Sequence, residues 1–383
     1  MYLRVFLLAF IVVICSASEP TLLVLSGSSY SSLGASLIID FSKNCRDHSI
    51  EYVYDEAPNI GHMKWDRKTS TQFASSEIPS DGWHPIINPR YSEIWYFDFQ
   101  ARTGEMIVSS FTVYGNLYKN ATVRVYLSIY RKNEQALHFT ILRPISELYA
   151  SLDSLNVSVG RSFALAEGSS IKIYMSNGTV SCYLKYSPES LPWVNQKRGF
   201  YSTWFVPVPR ANVVGWYNIS GEQRKVSGVG YHDHAWDITP NFYTETEGVF
   251  LGYPFVWGRV HTKNVTVLFS QAPTLFQVAC VFFDSGIIEF SRIRFYERDD
   301  HFLVSALSGN DLLLMEIKVD YSDQLFVTER MESYRYLVSA SGVFVSKGRS
   351  TLFAGRGIMN LQSIIRSNET GFGVSLEADE GNV

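Results

Sequence analysis

Apolar residues that alternate with other residues at a period of two recur along the sequence, and they constrain its fold more than any other feature. The segment from Val123 to Ile129 is typical, because a strand with this pattern turns one face toward a core. The same pattern of strand-like segments and turn residues recurs in segments 137–141, 171–184, 281–290, 312–319 and 334–345. Long amphipathic helical repeats are missing from the sequence. Short strands at fairly regular spacing predict an all-β fold, an antiparallel sandwich or barrel.

Turn residues divide these segments and indicate where domains begin. Asn177 and Gly178 lie between two strand-like segments, and Asn-Gly suits the positive backbone angles of a two-residue hairpin turn. The stretch from Ser187 to Arg198 contains two prolines and several polar residues and interrupts the strand pattern. We therefore predict two β domains, an N-terminal domain at residues 18–195 and a C-terminal domain at residues 196–383.

The first 17 residues have the pattern of a signal peptide. One cation, Arg4, precedes an apolar run that ends at Cys15, and small residues follow up to Ala17. The run is too short for a spanning helix, and no later segment approaches the roughly 20 apolar residues that spanning needs. We expect a mature chain that begins near Ser18 and enters the secretory pathway, to be secreted or kept in an endomembrane lumen. An uncleaved signal anchor is the alternative.

Sequons, cysteines and charge agree with this route. Six N-glycosylation sequons favour a glycosylating lumen, and their acceptors are Asn120, Asn156, Asn177, Asn218, Asn264 and Asn368. Three cysteines remain after cleavage and allow at most one internal disulfide, so the core must stabilise the fold: Cys45, Cys182 and Cys280. The net charge of −4 and the lack of a basic run argue against nucleic acid or an anionic membrane as a partner. The oligomeric state stays open.

The stretch from Gly228 to Asp237 concentrates polar and aromatic chemistry in ten residues. On a strand its side chains alternate, with His232, His234 and Trp236 on one face and Tyr231, Asp233 and Ala235 on the other. Two histidines on one face can bind zinc, but a catalytic zinc site needs a third ligand, and His261 is the only other nearby histidine. We therefore predict no metal.

An acid/base role suits these histidines better. Histidine titrates near neutral pH, and a neighbouring carboxylate such as Asp233 can fix its tautomer or raise its pKa. The alternative is a polar network that only holds two strands together. No Ser/His/Asp order, phosphate-binding glycine loop or dinucleotide motif is visible in the sequence, so we expect no cofactor.

Tryptophans lie within or beside several strand-like segments. They are Trp95, Trp204, Trp216, Trp236 and Trp257. Each could simply fill a core, but a barrel of about eight strands can also hold one small apolar ligand between such walls. A small apolar molecule is therefore the expected partner.

The motif residues resemble a known family. Residues 228–236, followed by Trp257, Gly258 and Arg259, resemble the motif of carotenoid 1,2-hydratases and their relatives, which reads approximately Gly-x-Gly-Tyr-His-Asp-His-Asn-Trp-Gly and then Trp-x-Trp-Gly-Arg. Segment 95–98 is similar to the start of that family's first domain, and segment 204–210 to the start of its second. The resemblance covers most of the chain after Trp83. It implies two lipocalin-like β domains packed together.

The resemblance implies more than one reaction. Besides hydratases, the family includes fungal pericyclases, called Diels-Alderases, which act on polyketide or terpenoid intermediates in a pocket between the two domains. The hydratases use a histidine and a tryptophan that match His234 and Trp236, together with a downstream tyrosine and aspartate. Segment 264–270 offers no carboxylate here, and Ala235 and Asp237 replace the usual Asn and Gly. These departures argue against carotenoid hydration.

The resulting expectation is a cofactor-free [4+2] cyclase of fungal secondary metabolism. Among the fungal pericyclases, a subgroup that enters the secretory pathway resembles hetero-Diels-Alderases, which join a tropolone-derived quinone methide to a macrocyclic terpene. His232, His234 or Tyr231 would supply a hydrogen bond or a proton, with Asp233 beside them. The expected substrate-binding residues are Trp95, Tyr96, Trp204, Trp236, Trp257 and Arg259, the last of which would orient Asp98 or Asp237 or pair with a surface acid. An isoprenoid hydratase or dehydratase and a secreted lipocalin-like carrier are the alternatives.

Overall fold

The computed structural model describes most of the chain after residue 78. The described residues are 23–24, 38–39, 46–47, 78–86, 88, 91–117, 120–195, 202–238, 243–244, 249–250, 255–272, 276–283, 286–290, 292–298, 301–327 and 331–364. Within them the only helix is the 3-10 helix Ile145–Glu147, and all other regular elements are β-strands, which confirms the predicted all-β class. No helix in this part has the length and hydropathy to cross a membrane. The predicted signal peptide, Cys45 and Asn368 lie outside the described residues.

The first large sheet contains twelve strands and curves into a nearly closed barrel. Three short strands precede it, β1 (Leu23–Val24), β2 (Ile38–Ile39) and β3 (Arg46–Asp47). Its own strands are β4 (Tyr91–Ala101), β5 (Met106–Tyr114), β6 (Thr122–Tyr130), β7 (Leu137–Pro144), β8 (Leu148–Ala150), β9 (Asn156–Val159), β10 (Ser162–Glu167), β11 (Ser170–Ser176), β12 (Val180–Pro188), β13 (Trp193–Val194), β14 (Ser202–Ile219) and β15 (Glu222–Ile238). The order is β7-β6-β5-β4-β15-β14-β12-β11-β10-β9-β8, and β13 pairs with β14. Because only the 3-10 helix separates the edge strands β7 and β8 in sequence, the two edges must lie close together.

The second large sheet contains ten strands and is built in the same way. After the paired β16 (Tyr243–Thr244) and β17 (Val249–Phe250), its strands are β18 (Phe255–Thr262), β19 (Thr266–Ala272), β20 (Phe276–Phe283), β21 (Gly286–Phe290), β22 (Arg292–Arg298), β23 (His301–Ser308), β24 (Asp311–Val327), β25 (Met331–Ser346) and β26 (Arg349–Ile364). The order is β21-β20-β19-β18-β26-β25-β24-β23-β22-β3. Strands β21 and β22 follow each other closely in sequence although they lie near opposite edges, so this sheet also curves into a nearly closed barrel.

The division between the two sheets lies later in the chain than the predicted boundary between residues 195 and 196. Strands β14 and β15 belong to the first sheet, where β15 pairs with β4 from Gly228 opposite Ala101 to Ile238 opposite Tyr91. The prolines after Ser187 mark only the connection from β12 to β14, in which β13 still pairs within the first sheet. Turn residues show where a strand ends, and they do not show which sheet the next strand joins.

Side chains on alternate positions of β4 show how the barrels pack. Trp95, Phe97 and Phe99 belong to the core inside the first barrel, and a separate core fills the second. Tyr96, between two of those positions, belongs to a third cluster that draws residues from both sheets and lies between the barrels. Both described cysteines are buried, Cys182 inside the first barrel and Cys280 between the barrels. The predicted hairpin at Asn177 and Gly178 joins β11 to β12, and Gly178 adopts a positive φ of 95°.

Candidate functional site

Strand β15 carries the motif and is buried on both faces. It lies between β4 and β14 in the middle of the first sheet. His232 stacks on Phe97 and His234 on Trp95, both in the core inside the first barrel, whereas Tyr231 belongs to the cluster between the barrels. The alternation predicted for the motif therefore places its residues in two clusters on opposite sides of one sheet.

The cluster inside the first barrel joins three histidines to two acids, and we call it the histidine cluster: Asp81, His84, Glu93, His232 and His234. The Nδ1 atom of His232 lies 2.9 Å from the Tyr96 carbonyl oxygen, and its Nε2 atom lies 2.9 Å from Oδ2 of Asp81. The Nδ1 atom of His234 lies 3.1 Å from Oδ1 of Asp81, and its Nε2 atom lies 2.8 Å from Oε1 of Glu93. Asp81 thus bridges both imidazole rings.

The protonation of the histidine cluster follows from these contacts. Ionised carboxylate oxygens accept hydrogen bonds, so both ring nitrogens of His234 donate in this arrangement, one to Asp81 and one to Glu93. Burial opposes a charge on His234, but the hydrogen bonds and charges of Asp81 and Glu93 outweigh it and raise its pKa to about 9. Burial likewise opposes ionisation of the acids, yet the histidines lower the pKa of Asp81 to about 2 and also lower that of Glu93. The proton of His234 therefore lies between two ionised carboxylates.

Aromatic rings and an N-terminal segment enclose the histidine cluster. The centroid of the Trp95 ring lies 4.8 Å from that of His234, and the His84 ring stacks on Trp236 at 3.7 Å with an angle of 5°. The segment that contains Asp81 and His84 is held to the connection between β8 and β9, because the Trp83 amide donates to the Ser151 carbonyl at 2.6 Å. The segment therefore connects one side of the barrel to the motif strand.

Sequence reasoning missed Asp81, His84 and Glu93. Glu93 could have been identified from the sequence. At a period of two it shares one strand face with Tyr91, Trp95 and Phe97, and a carboxylate on such an apolar face is rarely buried without a partner. Asp81 and His84 lie in an irregular segment that has no pattern. His261, the third histidine that the sequence suggested, lies elsewhere and contacts Thr266 Oγ1 at 2.8 Å.

The cluster on the other face lies between the barrels, and we call it the inter-barrel cluster: Tyr96, Asp98, Trp204, Tyr231, Asp233, Trp257 and Arg259. Asp233 accepts hydrogen bonds from Trp204 Nε1 at 2.9 Å and from the Tyr231 hydroxyl at 2.8 Å. The Trp257 ring packs 5.3 Å from Tyr96 and 5.7 Å from Tyr231. Burial raises the pKa of Asp233 to about 6 although these two donors oppose the change. Aromatic walls thus surround a carboxyl group.

Arg259 and Asp98 form an ion pair across the two barrels. The Arg259 Nε atom donates to Asp98 Oδ2 at 3.3 Å, Nη2 donates to Oδ1, and both side chains have no exposed surface. Burial raises the pKa of Asp98, and the Arg259 charge works against that rise. Of the three roles considered for Arg259, the structure shows the one with Asp98.

Two N–H donors and one hydroxyl of the inter-barrel cluster have no hydrogen-bond partner among the described residues. They are Nε1 of Trp257, Nη1 of Arg259 and the hydroxyl of Tyr96, all buried. Leaving a buried donor unpaired costs about 1–3 kcal/mol. An oxygen atom of a bound molecule could accept from such donors and recover that free energy, so these atoms are the strongest indication of a ligand in the inter-barrel cluster.

A further set of polar residues at the boundary between the barrels was not anticipated. Arg335 from β25 donates through Nη1 to the Tyr126 hydroxyl at 3.2 Å. The Tyr130 hydroxyl donates to Asp323 Oδ2 at 2.6 Å, and His138, with a side chain 36% exposed, lies 3.5 Å from the same oxygen. These contacts join β6 and β7 of the first barrel to the second barrel. The sequence did not predict these contacts, because single tyrosines on apolar strands do not indicate a polar partner.

The residues predicted for one site fall into two groups. His232, His234, Trp95 and Trp236 lie in or against the histidine cluster. The second group belongs to the inter-barrel cluster: Tyr96, Trp204, Tyr231, Asp233, Trp257 and Arg259. One sheet separates the groups, so the motif histidines and Trp204 do not meet in a single pocket.

Comparisons with known proteins bear on the fold. No protein-family model and no curated protein matches the sequence. The structure of CghA with Sch210972 is similar with a TM-score of 0.52 and 13% identity, over 76% of this chain and 96% of that chain. CghA by itself gives a TM-score of 0.52 and 14% identity, over 75% and 93%. Kievitone hydratase from Nectria haematococca gives a TM-score of 0.48 and 16% identity, over 75% and 91%. The similarity to CghA shows the fold, and the chain consists of two lipocalin-like β barrels packed against each other.

Proposed function

We propose that the protein is a pericyclase that catalyses a [4+2] cycloaddition of small, largely apolar molecules between its two barrels. The observation that carries this proposal is the pair of unpartnered donors, Trp257 Nε1 and Arg259 Nη1, within a buried aromatic cluster. The finer proposal, a hetero-Diels-Alder reaction of a tropolone-derived quinone methide with a macrocyclic terpene in fungal secondary metabolism, is supported by the family resemblance of the motif.

The inter-barrel cluster suits the demands of this reaction. A cycloaddition forms two σ bonds from π bonds and releases nothing, so the protein has only to orient the reactants and polarise one of them. Aromatic walls from Tyr96, Tyr231 and Trp257 would hold diene and dienophile in a single geometry. Trp257 Nε1 and Arg259 Nη1 would donate to a carbonyl oxygen that gains negative charge in the transition state.

The motif histidines take no direct part in this proposal. Their four ring nitrogens already face Asp81, Glu93 and the Tyr96 carbonyl. Their role is to hold β15, and with it Tyr231 and Asp233, in a fixed position next to the reactants. His232 and His234 are therefore positioning residues in this proposal.

One observation favours a second candidate function, that of a hydratase or dehydratase acting on an isoprenoid. His234 carries a proton between two carboxylates and lies 4.8 Å from the ring of Trp236, the pair that the family resemblance relates to hydration. A ring nitrogen must reach the substrate for this chemistry. Since both nitrogens of His234 are engaged and the residue has no exposed surface, the pericyclase is the better supported function.

The test is to add purified protein to a synthetic quinone methide precursor and a macrocyclic alkene. We expect a faster reaction and one predominant stereoisomer, because a bound geometry selects one face of attack. An unchanged rate and an unchanged isomer ratio would reject the pericyclase and leave a carrier. Incorporation of heavy oxygen from labelled water into the product would instead support the hydratase.

We also propose that the protein enters the secretory pathway, as the N-terminal pattern and the sequons indicate. Asn120, Asn177 and Asn264 are exposed at turns, whereas Asn156 and Asn218 are half-buried in strands. Expression in a eukaryotic host should therefore give glycans on the three exposed asparagines first. Peptide mass spectrometry after enzymatic deglycosylation checks this, and unmodified asparagine at all three would contradict the proposed route.

A further inference from the structure

We propose that the histidine cluster binds one zinc ion through His84, Glu93 and His234. These residues come from three separate parts of the chain, the N-terminal segment, β4 and β15. One ligand atom from each residue can be chosen so that all three lie within 4.8 Å of one another. The sequence prediction of no metal rested on the lack of a third ligand beside the two motif histidines. The fold instead brings two ligands distant in sequence, His84 and Glu93, to His234.

The distances are close to those of a metal site. The Oε1 atom of Glu93 lies 2.8 Å from His234 Nε2 and 3.6 Å from His84 Nδ1. Zinc binds histidine nitrogen and carboxylate oxygen at about 2.0–2.2 Å, which places neighbouring ligand atoms of a tetrahedral site roughly 3.3 Å apart. The first distance is shorter than this value and the second is longer, and the ligand atoms of His84 and His234 lie within 4.8 Å of each other. Side-chain rotations would bring the three atoms to tetrahedral spacing.

His84 supplies an independent indication of a ligand. Its Nδ1 atom is buried and has no hydrogen-bond partner among the described residues, although it lies near the Glu93 carboxylate. The His84 ring cannot turn away freely, because it stacks on Trp236 at 3.7 Å. A metal ion would take up the unpaired nitrogen lone pair and would replace the proton between His234 and Glu93.

The surroundings of the three ligands match those that hold metal ligands in place. Asp81 accepts from Nδ1 of His234 at 3.1 Å, which leaves Nε2 for a metal and gives the carboxylate–histidine arrangement common around zinc. Glu93 is oriented by the Tyr91 hydroxyl and by the His84 amide, which lies 2.9 Å from Oε1. The ligands would therefore need little reorganisation to bind.

The donor set restricts the metal to a transition-metal ion. Two imidazole nitrogens and one carboxylate oxygen suit zinc and also iron(II), whereas calcium and magnesium prefer oxygen ligands only. The bound ion would connect the segment around His84 to β4 and β15, and a water molecule could take the fourth position. This inference concerns binding alone and does not depend on the proposed cycloaddition.

The test is a metal titration of the full-length mature protein, prepared without an affinity tag and dialysed against EDTA. We expect one equivalent of zinc by calorimetry, and visible absorption of tetrahedral cobalt when Co²⁺ is the probe. His84→Phe keeps a ring that can stack on Trp236 but removes the ligand, so it should weaken binding at least about 100-fold. His138→Phe, which changes a histidine outside the cluster, should bind as the wild type does.

Failure of the wild type to bind zinc or cobalt would overturn the proposal, as would equal affinity of the wild type and His84→Phe. Circular dichroism shows whether His84→Phe is folded. If it is not, X-ray absorption of the zinc-loaded wild type decides, because two imidazoles and one carboxylate are expected in the first shell. A spectrum with one imidazole or none would equally overturn it.

Discussion

Replacing Arg259 by methionine is expected to lower the free energy of unfolding by about 3–5 kcal/mol, because it leaves the Asp98 carboxylate buried without its partner. Neither side chain has exposed surface, so water cannot take the place of the guanidinium group. The pair also connects β18 of the second barrel to β4 of the first, and its loss should loosen the contact between the barrels. Urea unfolding monitored by tryptophan fluorescence measures the effect.

The ion pair between Arg143 and Glu147 provides the control. Both side chains are 48% exposed and their atoms lie 3.3 Å apart, so Arg143→Met should cost no more than about 1 kcal/mol. Replacing both members of the buried pair, with Asp98→Leu added to Arg259→Met, should recover part of the loss, since no unpaired charge remains. Equal effects of the two single arginine variants would contradict the assigned role of Arg259.

Replacing Asp81 by asparagine is expected to cost about 3 kcal/mol, the second largest effect. Asp81 accepts from both His232 and His234, and an amide offers one oxygen where the rings need two acceptors. The amide nitrogen would face an imidazole N–H group. Asp81 belongs to the segment that is hydrogen-bonded to the connection between β8 and β9. The amides of this segment should therefore lose protection against hydrogen exchange before the barrel itself opens.

Hydrogen exchange separates local from global effects of Asp81→Asn. Amides of segment 80–84 should exchange faster, whereas those of β5, an interior strand of the first sheet, should change only by the overall loss of stability. Asp153→Asn is the matched control, because Asp153 is exposed in the neighbouring connection and should change stability by less than about 0.5 kcal/mol. Unaltered exchange of segment 80–84 in Asp81→Asn would show that the carboxylate does not hold it.

The alternation of side chains made much of the fold predictable from the sequence. It indicated the all-β class, the hairpin at Gly178 and the opposite faces of the motif, because strand geometry is local. The change from one sheet to the next was not predictable, since it depends on which distant strand β15 pairs with. That partner is β4, over a hundred residues earlier in the chain.

The motif residues of the candidate site were visible in the sequence, but their arrangement and several of their partners were not. His232 and Tyr231 are adjacent in sequence, yet the strand directs one into the barrel and the other between the barrels. The partners of the histidines, Asp81 and Glu93, became visible only when the chain was folded. The same holds for Arg335, whose contacts with Tyr126 depend on how the barrels pack.

Gly230 illustrates what the fold adds to a motif. A Cβ atom at this position would overlap the ring of Tyr186, whose hydroxyl donates to the Asp98 carbonyl at 3.0 Å. The second glycine of the motif thus lets a tyrosine pass close to β15 and support the backbone of Asp98. Its role is in packing inside the first barrel, against Tyr186 and Val213, and does not require contact with a ligand.

The central claim is that reactants bind between the barrels and are polarised there by Trp257. The most direct measurement compares cycloaddition rates of the wild type, Trp257→Phe and Trp216→Phe with the same synthetic reactants. Trp257→Phe keeps an aromatic ring but removes the unpaired donor, so we expect a rate about tenfold lower with no loss of stability. Trp216 packs on Tyr174 and Tyr183, away from the inter-barrel cluster, and its variant should keep the wild-type rate. Equal rates for all three proteins, or no acceleration by any of them, would contradict the account.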